Sequence, residues 1–298
     1  MSILLTGAGG QVGWELARAL LAQTGVLLTP SRLELDLTDL DGMQRYLDLH
    51  RPRVIINPAA YTAVDQAEQE SDVASCVNSD APALLADYAR RQQALLVHFS
   101  TDYVFDGHSS APYRESDACV PLGVYGASKR AGELAILDSG CDALILRTSW
   151  VYAARGRNFL LTMLRLAASR ERLTVVADQF GAPTWARVIA DSTALILHQA
   201  ERQRQAGTFK SGLYHLTCQD VTSWHGFAEA IIELARSLAP SPLLTHAVDP
   251  ITTAEYPTAA PRPANSRLDC QKLKADYHLI LPHWHHALRL CMADYYRN

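Results

Sequence analysis

Short apolar runs made of β-formers recur along this 298-residue chain and alternate with helical stretches. The runs are ILL at 3–5, VLL at 26–28, VII at 54–56, LLVHF at 95–99, ALIL at 143–146 and LTVV at 173–176. They are continuous rather than alternating, the pattern of strands covered on both faces. Between them the spacing predicts helices over 11–23, 38–50, 73–92, 125–138 and 157–170. Such alternation predicts an α/β fold built on a doubly wound parallel sheet. From about residue 205 the sequence becomes loop-rich, with prolines concentrated between 240 and 282. That change predicts a smaller, irregular C-terminal region packed on the first. The segment 199–212 reads as a surface excursion.

The first run leads into ILLTGAGGQVG, where Gly7, Gly10 and Gly13 are spaced GxxGxxG. Glycines there permit a tight turn and let backbone N–H groups approach a pyrophosphate at a helix N-terminus. Taken alone, the triplet is also what a flexible strand–helix turn looks like. At the head of a long α/β pattern it predicts a Rossmann-type dinucleotide site. The expected division is then a dinucleotide-binding domain over 1–148, with about 170–204 packing back on it. A substrate-binding region takes 149–169 and 205–298.

An acid at the end of the second strand would hold an adenosine ribose and favour NAD. LLTPSRLELDL instead puts Ser31 and Arg32 in that neighbourhood. A hydroxyl and a guanidinium suit a 2′-phosphate, which points to NADPH, with NADH still possible. The other reading of Arg32 is a solvated loop residue. Asp36 and Leu37 follow as candidates for the adenine edge. In INPAAYT the small Ala59 and Ala60 would let a ribose lie against backbone, and Thr62 can donate to a phosphate or ribose. The same stretch could equally be a turn before a helix.

Composition narrows the partners. Charged residues make up 19% of the chain, hydrophobic ones 48%, and the net charge is −4 with no Lys/Arg cluster. That describes an ordinary globular protein and argues against nucleic acid, which needs a basic footprint. The six cysteines at 76, 119, 141, 218, 270 and 291 form no CxxC, as expected of thiols in a reducing compartment. The opening MSILLTGAGG is too short in apolar residues for a signal peptide or a membrane span, so the expected location is cytoplasmic. PHWHH at 282–286 packs three histidines on different helical faces without a nearby cysteine, so no metal site is expected.

The fourth run delivers HFSTDYVFDG, and VYGASK follows at 124–129. Tyr125 and Lys129 lie four apart, so phenol and ammonium would share a helical face. A nearby ammonium favours a phenolate, which would tune Tyr125 as a proton donor to a carbonyl oxygen. With GxxGxxG and YxxxK, the chain resembles the extended short-chain dehydrogenase/reductase family. AAYTAVDQAE, STDYVFDG, VYGASKRAGE, RTSWVYA, DQFGAPT and RPANSRLD look like its dTDP-4-dehydrorhamnose reductase branch. That resemblance runs from residue 7 to residue 269.

It implies NADPH-dependent reduction of a dTDP-4-keto-6-deoxy-L-sugar to dTDP-L-rhamnose, with Thr101, Tyr125 and Lys129 as the catalytic residues. By the same resemblance Gln11, Val12, Tyr61, Phe99 and Lys129 join the cofactor contacts. Thr101, Asp102 and Trp150 would meet the sugar, and Arg262 and Asn265 would hold the diphosphate. A homodimer is possible. Pro58 stands where the family commonly has Ala, removing one backbone donor near the cofactor. Trp185 and Arg187 stand where some relatives have small and acidic residues, so a dimer or metal contact there is not assumed. Two alternatives remain at this point: an epimerase or 4,6-dehydratase of the same extended family, and a non-catalytic protein like the regulatory subunit of methionine adenosyltransferase. A dehydratase would be expected to carry a second acid after Asp102, where Tyr103 stands.

Overall fold

The computed structural model describes residues 2–21 and 25–297. Its centre is a sheet of six parallel strands: β1 (Ser2–Leu5), β2 (Val26–Leu28), β3 (Val54–Asn57), β4 (Leu95–Thr101), β5 (Ala143–Thr148) and β6 (Gly212–His215). Their order is β6-β5-β4-β3-β1-β2. The winding direction reverses between β1 and β3, and the crevice at such a switch point is where open α/β sheets bind ligands.

The period-2 geometry of a strand explains why the apolar runs are continuous. Ile3, Leu5, Val54, Ile56, Leu95, Val97, Leu144 and Leu146 fill one core, under the helices Gln11–Leu20 and Ala186–Gln205. The residues between them, Leu4, Ile55, Leu96, Ala143 and Ile145, fill the core on the opposite face. Both faces are sealed, so a polar group on these strands loses its water.

The helices follow the sequence closely. The helix expected over 11–23 is seen as Gln11–Leu20, and residues 22 and 23 lie outside the described residues. The stretch 73–92 is helical but contains one π-turn, Cys76–Asp80. Such single turns often mark functional sites. The helix Val124–Ser139 carries Tyr125 and Lys129.

Three expectations about the second half are corrected. The strand Arg172–Val176 does not pack back on the sheet; it pairs in parallel with Ala247–Ile251, and its Leu173 and Val175 join a separate core. Gly212–His215, expected in the outer region, extends the sheet along β5. Nor are residues 199–212 a surface excursion: through 205 they continue a helix that buries Ala200, and from 212 they form β6. The helical periodicity of ALILHQAERQRQ was hidden by its charged end, where Arg204 pairs with both Asp142 and Glu201.

The outer core gathers Leu160, Met163, Phe227, Ile231, Trp284 and Met292 from the helices Phe159–Ala167, Trp224–Leu238 and Trp284–Arg297, with Tyr152 from the short strand Val151–Tyr152. Arg187 ties this layer to the sheet. Its Nε and Nη2 donate to the Glu15 carboxylate at 3.0 and 3.3 Å, while Nη1 donates to Asp294 on the last helix. The first of the three histidines at 282–286, His283, pairs with Asp220. No described helix is long and apolar enough to cross a membrane.

Candidate active site

At the end of β1 the chain turns through Gly7, whose φ of +58° is a left-handed conformation that favours glycine. A Cβ on Gly7 would lie 2.9 Å from the Cβ of Ala59, and one on Gly13 would lie 2.1 Å from the Gly7 carbonyl. The first contact fixes how closely the β1 and β3 turns approach; the second lets the first helix sit on the turn. The result is a crevice of about 810 Å³ at the switch point.

Of the expected cofactor residues, the structure brings Gly7, Gly10, Ser31, Arg32, Asp36, Leu37, Ala59, Ala60 and Tyr61 together around that crevice. Gly13, Gln11, Val12 and Thr62 do not line it. Gly13 serves the packing just described, Val12 packs against the sheet core, and Gln11 accepts from Asn158 Nδ2 at 2.8 Å. Thr62 is exposed. Arg32 is 80% exposed and leans on Asp36 at 3.4 Å, while Thr38 holds the other Asp36 oxygen.

The chemical end lies at the tip of β4. Thr101 donates its hydroxyl hydrogen to Asp102 Oδ1 at 3.1 Å and accepts from the Tyr103 amide at 3.2 Å. Burial raises the Asp102 carboxyl to about 6, against the Ser266 and Thr101 hydroxyls. The phenol of Tyr125 is pushed up to about 12 by burial, with Thr101 opposing and the Asp102 charge adding. Gly126 lets the helix close down here, since a Cβ on it would meet the Tyr103 carbonyl at 2.1 Å.

Lys129 corrects one expectation. Its amine donates to the Phe99 carbonyl at 2.6 Å and sits 3.2 Å from His98 Nε2. Burial brings it down to about 8, with Glu133 opposing. In this geometry the phenol is not made acidic by its neighbour, because the loss of water outweighs any lowering influence on Tyr125. A phenol held this way stays protonated near neutral pH, the state a proton donor needs. Phe99 takes part through its carbonyl, its ring being 7% exposed in the core.

A family model described as RmlD substrate binding domain matches residues 1–297. The chain belongs to that family. The dTDP-4-dehydrorhamnose reductase of Burkholderia thailandensis is 52% identical over 295 residues, spanning 99% of each chain. Among solved structures, the dTDP-4-dehydrorhamnose reductase of Clostridium acetobutylicum matches with a TM-score of 0.89 at 33% identity, covering 98% of this chain and 99% of that one. The Bacillus anthracis enzyme of the same name, in complex with NADP, gives 0.87 at 33% identity, with the same coverage.

For this RmlD-family chain the sugar side departs from expectation in two places. Trp150 sits at a φ of +49°, and its indole stacks on Trp224 with ring centroids 3.6 Å apart. A Cβ on Gly181 would press on the same indole at 2.5 Å, so Trp150 is wedged rather than presenting a free face. Asn265 is not available to a diphosphate. Its Nδ2 donates to the Ser109 and Ala111 carbonyls at 2.8 and 2.9 Å, and its Oδ1 accepts two hydrogen bonds from Arg267. That exhausts a carboxamide. Arg262 is better placed: Nη2 holds Asp65 at 2.7 Å while Nη1 is buried without a partner.

Sequence reasoning missed several residues that shape the site. Asn78, on the π-turn, accepts from the Tyr61 amide and donates to the Tyr61 carbonyl and to Ser128, tying the β3 turn to the helix of Tyr125. Gly132 allows that approach, since a Cβ there would sit 2.1 Å from the Asn78 carbonyl. Behind the same helix, Arg147 grips Glu133 with two hydrogen bonds at 2.7 and 2.6 Å, both side chains being essentially buried. Removing one partner of such a pair costs roughly 3–5 kcal/mol. The charges are visible in sequence, but their pairing is a contact between a helix and β5, which spacing does not reveal.

Proposed function

We propose that the protein reduces dTDP-4-dehydro-β-L-rhamnose to dTDP-L-rhamnose with NADPH, the last step in making that sugar nucleotide. The observation that carries the reading is the meeting, at one sheet edge, of a dinucleotide crevice with Thr101, a protonated Tyr125 and a buried Lys129. It is supported by membership of the family and by the names and bound NADP of the relatives.

When bound, the cofactor supplies a hydride. The glycine turn and the first helix N-terminus would cradle its pyrophosphate, while Ser31 and Arg32 would meet a 2′-phosphate. Residues of the chain do the rest. Tyr125 donates its proton to the oxygen that becomes the new hydroxyl, and Thr101 hydrogen-bonds that oxygen or the phenol. Lys129 keeps positive charge below the site and holds the ribose next to it. Arg262, with its buried unpartnered Nη1, is the residue that would take a diphosphate oxygen. Trp150, wedged between Trp224 and Gly181, would stiffen the sugar side rather than stack on the sugar. In domain terms, residues 1–148, together with the helix Ala186–Gln205 and β6, bind the dinucleotide. The outer layer of residues 149–185, 224–270 and 282–297 binds the sugar, while Leu273, Tyr277 and Leu281 belong to the sheet core. Six free cysteines suit a cytoplasmic setting.

The test is direct. Mixing protein, NADPH and dTDP-4-dehydro-L-rhamnose should consume the NADPH absorbance and yield dTDP-L-rhamnose by chromatography. Absence of turnover with this sugar in the presence of tight NADPH binding would overturn the substrate assignment.

A further inference from the structure

At the edge next to the reaction centre, three neighbouring strands line up polar residues side by side on one face of the sheet. Thr6 follows Leu4 and Leu5 of β1, Asn57 ends β3, and His98 lies in β4 in register with Asn57. They are 2%, 0% and 0% exposed. Thr6 Oγ1 lies 2.6 Å from Asn57 Oδ1, Asn57 Nδ2 lies 3.1 Å from His98 Nδ1, and His98 Nε2 lies 3.2 Å from Lys129 Nζ. Four side chains therefore form one continuous buried row from the glycine turn to the lysine of YxxxK.

We propose that His98, held by Asn57, is a positioning residue for the reduction: its Nε2 accepts one hydrogen of the Lys129 ammonium and keeps that group charged and aimed. The proposal rests on the reading of Lys129 given above. An ammonium has three hydrogens and no lone pair. The Phe99 carbonyl takes one and His98 a second, which leaves the third for a bound ligand. For Nε2 to accept, the ring hydrogen must sit on Nδ1, so Asn57 must offer its carbonyl oxygen there and its NH₂ to Thr6. A half-turn of the Asn57 amide gives that arrangement with the same neighbours, since its O and N occupy equivalent places. With the amide as placed, the row runs the other way and suits a neutral amine accepting from Nε2–H. The direction of the row and the charge on Lys129 are thus one variable.

Other groups set the field on this amine. Glu133 lies one turn along the same helix, but Arg147 of β5 and Arg130 largely neutralise it. Tyr125 lies one turn before, and β1 and β3 contribute only the uncharged Thr6 and Asn57. Burial keeps His98 itself neutral, with the Lys129 charge adding to the effect. An uncharged acceptor is what a buried ammonium requires, because a second cation would repel it.

The chain has only four lysines, at 129, 210, 272 and 274, so a ¹³Cε-lysine NMR titration reads Lys129 without turnover. Replacing the ring by a side chain that cannot accept, His98→Phe, should lower the Lys129 pKa by about one unit or more, the worth of a hydrogen bond to a charged group. His98→Gln, which retains an acceptor oxygen, should restore most of it, and the alkaline limb of the kcat/KM profile should move with the titration in both variants. An unchanged Lys129 titration in His98→Phe, or equal shifts in both variants, overturns the proposal. The wild-type protein gives a second check should a variant not fold: ¹⁵N NMR of the His98 ring near pH 7 should report the Nδ1–H tautomer, and Nε2–H would overturn it. Should wild type bind NADPH yet reduce no sugar, the substrate assignment fails while the titration and tautomer still decide the role of His98.

Discussion

Two neighbouring regions at this edge of the sheet, the crevice and the tip of β4, are built from opposite materials. Between β1 and β3 the surface is backbone and small residues: Gly7, Gly10, Ala59 and Ala60, with contacts that leave no room for a Cβ on Gly7 or Gly13. At the tip of β4 the chain instead takes polar side chains out of water: Thr101, Asp102, Lys129 and, one row below, His98. The first end works mainly by leaving out volume. The second works by holding charge and protons where burial has shifted them, so each of its groups can be tuned or mistuned by a neighbour. One end binds, and the other discriminates between protonation states.

The sharpest way to break this contrast is to remove one proton and nothing else. Tyr125→Phe deletes the hydroxyl and leaves the glycine turn, Ser31 and Arg32 untouched. Turnover should fall by about 10²–10⁴-fold, the usual worth of a positioned acid, while NADPH affinity measured by fluorescence titration stays nearly constant. Should turnover survive, the acid is another group and the chemical end has been misread.

How much could be read beforehand divides along the same line. The glycine turn, the strands and the Tyr125–Lys129 pair are local: each follows from spacing within a dozen residues, and the α/β fold followed from six apolar runs. What escaped was set by contacts between distant segments. His98 sits inside a run read only as a strand, and its register beside Asn57 exists only once β3 and β4 are paired. Asn78 lies in a π-turn that the helical pattern of 73–92 smooths over. Asn265 was legible as a polar loop residue but not as a clamp, because its partners are Ser109, Ala111 and Arg267. Lys129 was placed correctly on its helix, yet its amine turned out to serve β4 in this geometry rather than the phenol.

The chemical end should also carry a cost in stability that the glycine end lacks. The Asp102 carboxyl titrates near 6 in the folded protein, above the ordinary value of 3.8. A raised folded-state value means that the folded protein binds the proton more tightly. The contribution of this one group to stability is then greatest below about pH 4, falls as pH rises toward 6, and is flat beyond. The difference corresponds to a burden of about 3 kcal/mol above pH 6. Asp102→Asn, which can still accept from Thr101, should therefore gain part of this, about 1–3 kcal/mol, in urea unfolding near pH 8, and nothing near pH 4. A gain of equal size at both pH values would trace it to packing and not to the buried charge.

The smallest effect belongs to the glycine end, where Arg32 stands at the rim beside Glu34 and Asp36. Arg32 is mostly in solvent and its contact with Asp36 is long, so its removal leaves the fold and the pyrophosphate cradle intact. What it can offer is a guanidinium next to Ser31, at the place where a 2′-phosphate distinguishes NADPH from NADH. Arg32→Ala should weaken NADPH by roughly tenfold and leave NADH nearly unchanged, a loss at the low end for a charge-assisted hydrogen bond because the site is wet. Equal losses for the two cofactors would place the discrimination elsewhere on the crevice. The backbone of the β1 turn binds what both cofactors share, so only a side chain at the rim can tell them apart.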